Sequence, residues 1–392
     1  MNIKKLLALP LCFLLLFAIV SGCSGADTDP NGDPLESESP GGENSPGAGG
    51  DLDPSNTGGI DFDFARSFFA PDTVMISADG VFVTWSELYL FLFREISGVL
   101  YYFPDGVDWS EEYLPETTFA DLILEAAVEP ALSLLSYAYG AKLLGLDQNS
   151  QSLDDFLAEI DEMIADYGGV EVFEQVLHDN GFMSVEAYIE FAKLAMLPDL
   201  LLTHLYGEDL MGLSDDSIAE FAEREGFMQA KHILVSHISD GVENEHALED
   251  SEAILALLKD RENDDDFVDY FSELVAEYSE DPGSFSFPDG YLFVFEDMVP
   301  EFSEACSNLN AGEISGIVET SYGFHIILRL PINYDSIPAG LASMGEYYTL
   351  REYVALVDFD ELAYEWRNAV TFEFSSQFES IDFSEIFAWR EQ

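Results

Sequence analysis

The chain has 392 residues, and its 77 Asp and Glu stand against only 14 Lys and Arg, for a formal net charge of −63. So few and scattered cations argue against nucleic acid as a partner, because Lys and Arg supply the affinity for a phosphate backbone. The acid excess suits solubility in a salty or cation-rich exterior, with recruitment of basic clients or divalent cations as the alternative. No acidic run has the Asp-x-Asp-x-Asp-Gly spacing of a calcium loop.

At the amino terminus Lys4 and Lys5 precede an apolar run, residues 6–20, and then Ser21-Gly22-Cys23. The run falls short of the roughly 20 apolar residues of a membrane span, and small residues before a cysteine mark a processing site. The pattern resembles a bacterial lipobox, which implies removal of a signal peptide at 1–22 and lipidation of Cys23. Residues 23–66 are assigned to the lipidated cysteine and an acidic tether, built up to about residue 59 from Gly, Pro, Ser, Asn, Asp and Glu. Such a composition buries too little surface to offset its ordering entropy. Beyond the signal no long apolar run is uninterrupted: residues 194–205 are broken by Pro198, Asp199 and His204. The reading is a chain held to the cell membrane by lipid, on its extracytoplasmic face. Of the three cysteines, only Cys306 remains for the folded part, so no internal disulfide is available. Cys306 reads as a small buried apolar residue.

The folded part opens with Val74 and Ile76 alternating with smaller residues, the hairpin signal Asp79-Gly80, and a second strand at 81–83. Thr84 and Glu87 then have capping-box spacing at the start of a helix whose buried face carries Trp85, Leu88 and Leu92. Helical patterns follow at 119–144, 153–167, 170–180, 184–206 and 214–225, punctuated by Gly145, Gly168-Gly169, Gly181 and Gly207. Residues 228–235 read as a strand, 254–258 with their flanks and 267–278 as two helices, 301–309 as a third, and 321–330 as ending in an apolar strand. This βαααββ-type order around a small sheet is an α+β domain. After Pro331 and Pro338, helical pattern returns at 346–366.

Four segments in this domain, AKHILV at 230–235, YSEDPGS at 278–284, DMVPEF at 297–302 and ETSYGFHII at 319–327, together resemble the parvulin family of peptidyl-prolyl isomerases. The preceding order of strand pair, capped helix and further helices resembles the amino-terminal chaperone domain of SurA- and PrsA-like foldases. The resemblance implies an α+β class overall. A helical chaperone-like domain would be formed by 67–226 together with a returning segment at 333–392, with a parvulin-like domain inserted at 227–332.

The same resemblance implies that His232 and His325 lie side by side in the sheet, hydrogen-bonded to each other or to a neighbouring hydroxyl, for which Thr320 stands in position. It implies that Asp281 faces the substrate carbonyl. Each histidine taken alone would better suit a satisfied core position, and only the two together at these positions favour the site; Asp281 equally suits a turn before Pro282-Gly283. Met298 and Phe302, four residues apart and so on one helical face, match the wall of the family's proline pocket, with Phe293 as a further aromatic. Where parvulins read Gly-Gly-Asp-Leu-Gly, this chain has Phe287-Pro288-Asp289-Gly290-Tyr291-Leu292. The pocket leucine is displaced to Leu292 or lost, and Tyr291 stands where glycine is usual.

Twisting a prolyl amide requires no nucleophile, metal or cofactor, and none is implied. The loop after His232 lacks the Lys and Arg that phosphate recognition needs, and its His237 and His246 read as solvent-facing. The expected partners are unfolded or partly folded exported polypeptides containing unphosphorylated Xaa-Pro. The expected function is a lipid-anchored foldase with isomerase and holdase activity. The alternative keeps the fold and only binds extended clients.

Overall fold

A computed structural model describes residues 59–104, 106–146, 151–239 and 241–389. The expected signal peptide, Cys23 and most of the tether lie outside the described residues. The chain divides into two compact units, one made of residues up to 201 together with 359–392, the other of residues 202–358.

In the first unit β1 (Val74–Ala78) and β2 (Val81–Thr84) pair in antiparallel register, joined at Asp79 and Gly80, both with positive φ as a primed hairpin turn requires. The helix α1 (Trp85–Tyr102) starts at a capping box in which the Thr84 backbone N–H donates to Glu87 Oε2 at 2.7 Å. It is followed by α2 (Phe119–Leu144), α3 (Gln151–Asp166), α4 (Val170–Asp179), α5 (Val185–Ala195) and α6 (Leu197–Tyr206). The 184–206 pattern is therefore two helices rather than one. The break at Met196 precedes Pro198, which has no N–H to donate back to Leu194. Trp85, Leu88 and Leu92 of α1, Leu134 and Leu135 of α2, Phe173 of α4 and Phe191 of α5 share one core. A two-residue strand, Glu373–Phe374, adds to β1 with Phe374 opposite Ile76, which returns the carboxy-terminal segment to this unit.

The tether ends earlier than residue 66. Phe62–Arg66 is a helical turn with Phe62 and Ala65 buried, Tyr89 donates its hydroxyl to the Phe62 carbonyl, and Trp85 donates its indole N–H to that of Arg66. Two buried apolar side chains give this segment the packing that the upstream composition lacks.

The second unit begins before the expected boundary at 227. Its helix α7 (Asp215–Glu225) is tied to residues 333–358: Arg351 bridges Asp215 Oδ1 at 2.9 Å and Asp335 Oδ1 at 3.3 Å, and Phe221 packs on Tyr353. Tyr206 likewise donates its hydroxyl to Asp358 at 2.7 Å. These long-range pairs move the division to 201/202 and 358/359. The unit continues with β3 (Met228–Ser236), α8 (Ala247–Arg261), α9 (Phe267–Tyr278), β4 (Tyr291–Phe293), α10 (Pro300–Ser307), β5 (Val318–Glu319) and β6 (Gly323–Leu330).

The four strands form one antiparallel sheet in the order β4-β3-β6-β5. The strand β4, which lies between α9 and α10, is the element that the expected βαααββ order omitted. At three residues it is too short for alternation to show.

Strand alternation sorts the two faces. Ile233 and Val235 of β3 with Ile326 and Leu328 of β6 face Ile254 and Leu258 of α8 and Phe267, Phe271 and Leu274 of α9. Met228 and Ala230 of β3, Phe293 of β4 and Ile327 of β6 face Phe302 and Cys306 of α10. Cys306 has no exposed surface, and burial pushes its thiol above the ordinary range.

Candidate active site

In the β3–β6 register His232 lies opposite Ile327 and His325 opposite Leu234, so the two histidines are diagonal neighbours on the α10 face. Their ring centroids are 5.2 Å apart, and Phe302 meets both edge-on at 5.1 and 5.6 Å. Just beyond β5, the buried Thr320 places its hydroxyl 2.8 Å from His325 Nε2, while the Tyr322 N–H donates to the same oxygen at 3.1 Å. Of the two expected partners, His325 has the hydroxyl rather than the other imidazole. Nδ1 of each ring is buried and has no hydrogen-bond partner among the described residues.

Asp281 arrives by way of a sheet edge. The strand β4 pairs with β3 only from Met228 to Ala230, which leaves the rest of β3 open on that side. There the Glu280 N–H donates to the Leu234 carbonyl at 2.8 Å, and the Leu234 N–H donates to Ser279 Oγ at 3.2 Å. The Ser236 N–H donates to Glu280 Oε2 at 2.7 Å. Held along this edge, Asp281 puts Oδ2 3.5 Å from His232 Nε2. Its Oδ1 accepts the Gly283 N–H at 3.1 Å and caps the short turn Pro282–Phe285. One oxygen of Asp281 thus serves the expected turn, and the other faces His232.

A residue not expected in the site completes it. Tyr291 donates its hydroxyl to Asp281 Oδ2 at 2.7 Å, and its ring stacks on His232 at 5.7 Å between centroids and an interplanar angle of 26°. The only signal in the sequence was its departure from the family's glycine. Gly290 before it has φ +92° and lies so close to the Ala230 carbonyl that any Cβ would collide, which brings β4 against β3 at this point. A small cavity opens beside the cluster, bounded by His232, Asp281, Ser284, Phe287, Pro288 and Tyr291 among others.

Burial keeps the imidazoles neutral. It pulls His325 down to about 4, helped by the neighbouring His232, and it lowers His232 against the opposing pull of Asp281. Burial and the Asp281 carboxylate push the Tyr291 hydroxyl up, so at neutral pH it remains a donor. Two neutral rings stand beside one carboxylate held by hydrogen-bond donors, and the cation lining the cavity, Lys231, donates to Ser272 at 2.8 Å.

The expected pocket residues separate. Met298 precedes α10 instead of sharing its face with Phe302, because Pro300 opens the helix one position after the N-cap Val299. It remains half-buried and packs on the same cluster as Phe302. Phe293 has no exposed surface and lies behind Phe302, with ring centroids 5.8 Å apart, so it supports the wall without forming it. Leu292 is also fully buried and pairs opposite Gln229, on the face away from the histidines. The displaced leucine therefore does not line this site, since one step along a strand reverses the side-chain direction. His237 is not solvent-facing: it is part-buried, with Nε2 3.2 Å from the Thr320 carbonyl oxygen and its ring edge-on to Phe324. His246 is exposed, beside Glu249.

The Rotamase family, described as a PPIC-type PPIASE domain, matches residues 232–330. The chain is 32% identical over 229 residues to the foldase protein PrsA of Halalkalibacterium halodurans, covering 55% of this chain and 61% of that protein. It is 36% identical over 118 residues to the foldase protein PrsA of Oceanobacillus iheyensis, covering 29% and 33%. It thus spans less than two thirds of the length of these curated relatives. A crystal structure of PrsA from Bacillus subtilis aligns with 64% of this chain and 86% of its own at 22% identity, with a TM-score of 0.24, too low for the overlap to carry an argument. Residues 232–330 are a PPIC-type, parvulin-type peptidyl-prolyl isomerase domain in a chain related to the PrsA foldases.

Proposed function

We propose that this chain is a peptidyl-prolyl cis-trans isomerase of the foldase kind, acting outside the cytoplasm on exported polypeptides that contain Xaa-Pro. In this reading it is held to the membrane by lipid on Cys23, and its helical unit retains unfolded clients. No helix among the described residues is long and apolar enough to cross a membrane, so attachment in this proposal rests on the acyl chains.

The observation that carries the reading is the meeting of Asp281, His232, His325 and Thr320 beside Phe302 and Met298. A planar prolyl amide is held by resonance that places negative charge on its oxygen, behind a barrier of about 18–20 kcal/mol. A carboxylate facing that oxygen repels it in the planar state, and the repulsion falls as the bond twists and the oxygen loses charge. The ground state is raised more than the transition state, so the barrier falls. Neutral histidines keep positive charge away from the oxygen and preserve this difference. Met298, with Phe302 behind it, supplies an apolar wall for the proline ring.

The test is cis/trans exchange in an Ala-Pro peptide, followed by NMR with the full chain. Accelerated exchange that collapses in Asp281→Ala and weakens in Met298→Ala is expected; exchange no faster than the uncatalysed rate would sink the proposal. A second reading, a binder of extended clients without turnover, is favoured by the burial of Phe293 and Phe302 and by Leu292 facing away. Suppressed aggregation of an unfolded client without accelerated exchange would select it.

A further inference from the structure

Tyr291 touches Asp281, His232 and Phe287 beside the open edge of β3. Its hydroxyl donates to Asp281 Oδ2 at 2.7 Å, while its ring stacks on His232 and packs against Phe287 with centroids 4.7 Å apart. Gly283 leaves room for that hydroxyl, since a methyl group there would overlap the tyrosine oxygen. The rest of Asp281 is accounted for: Oδ1 takes the Gly283 N–H, and His232 Nε2 stands 3.5 Å from Oδ2, beyond good hydrogen-bond distance. The strong contact on Oδ2 is the tyrosine.

We propose that Tyr291 is a positioning residue for prolyl isomerisation: its hydroxyl holds the Asp281 carboxylate in place against His232, aimed at the substrate carbonyl, so that the charge acting on the amide does not swing away. The proposal rests on the isomerase reading above. It turns a residue that departs from the family's glycine into a working part of this chain's site. Without this donor the carboxylate is held only through Oδ1 by the Gly283 N–H and swings about that contact toward water or toward His232, and the field at the amide is lost to reorganisation.

Three measurements on the full chain test it. In the Ala-Pro exchange assay, Tyr291→Phe keeps the ring and removes the hydroxyl; kcat falls about tenfold, within what a hydrogen bond to a charged group contributes, with KM little changed. The double variant Tyr291→Phe/Asp281→Asn is no slower than Asp281→Asn alone, because the tyrosine acts only through the carboxylate. By NMR, the His232 imidazole titrates at higher pH in Tyr291→Phe, because the released Oδ2 closes on Nε2.

A Tyr291→Phe chain with wild-type kcat, or a double variant slower than Asp281→Asn by the full tyrosine effect, overturns the proposal. A wild-type chain without any acceleration instead sinks the isomerase reading. The NMR titration then decides the tyrosine's role by itself, and an unchanged His232 midpoint in Tyr291→Phe counts against it.

Discussion

The two faces of the isomerase sheet are drawn from alternate residues of the same strands and do opposite work. Toward α8 and α9 the side chains are Ile233, Val235, Ile326 and Leu328, an apolar layer, with Lys231 at its margin donating to Ser272 of α9. Toward α10 the same strands present His232 and His325, with Asp281 and Tyr291 brought to the edge. One face supplies stability, and the other places polar groups in a dry setting where burial shifts His232, His325 and Tyr291 from their ordinary titration. A one-residue slip of β3 against β6 would exchange the two sets.

The sharpest test of this division is on the apolar face. Phe271→Ala there removes a fully buried ring, and a loss of about 3–5 kcal/mol in urea unfolding of the second unit is expected. If residual folded protein keeps its wild-type exchange rate, the faces are separable; a rate loss beyond the folded fraction would break the comparison.

Acid tests the polar face. The folded His325 lies at about 4, against about 6.5 in an unfolded chain. As pH falls from about 6.5 toward 4 the unfolded state takes up a proton that the folded state refuses, so stability falls across that window, by about 3 kcal/mol at its end. His232 is shifted in the same direction. The contribution is read as the difference between wild type and His325→Gln in urea unfolding at pH 7 and pH 4, in which relief of acid repulsion common to both cancels. Equal pH slopes in the two chains would contradict the burial of a neutral His325.

Asp281→Ala is expected to slow exchange by about a hundredfold, the scale of a single field-setting group, while costing only about 1 kcal/mol of stability through the lost cap. A stability loss as large as that of Phe271→Ala would place Asp281 with the structural residues. The smallest effect is Thr320→Val, which removes the 2.8 Å contact to His325. About 1 kcal/mol is expected from the missing hydrogen bond, and an unchanged His325 NMR titration would show that the hydroxyl does not govern the ring.

The legible parts of this protein were local. Capping at Thr84 and Glu87, the turn at Asp79-Gly80 and the helices from Phe119 to Leu144 and from Phe267 to Tyr278 follow from signals a few residues wide. The positions of His232, Asp281, Thr320 and His325 were legible through their motifs, although the motifs carry no distances. Met298 was misplaced onto a helix because its spacing to Phe302 fits one, while Pro300 starts that helix later. Leu292 was misjudged because a three-residue strand shows no alternation. The early end of the tether and the division at 201/202 depend on partners far along the chain, such as Tyr89 with Phe62 and Tyr206 with Asp358, which no local pattern announces.

By itself the sequence determined an acidic chain with a helical part, a parvulin-like α+β part, and the residue types a prolyl isomerase site requires. Only the tertiary structure decided which of those residues meet. Register put His232 and His325 on one face, the open edge of β3 delivered Asp281, and the direction of one strand residue turned Tyr291 toward the site and Leu292 away. The physical reason is that facing and proximity are set by hydrogen-bonded pairing between segments up to a hundred residues apart, and such pairing fixes directions that composition and spacing leave open.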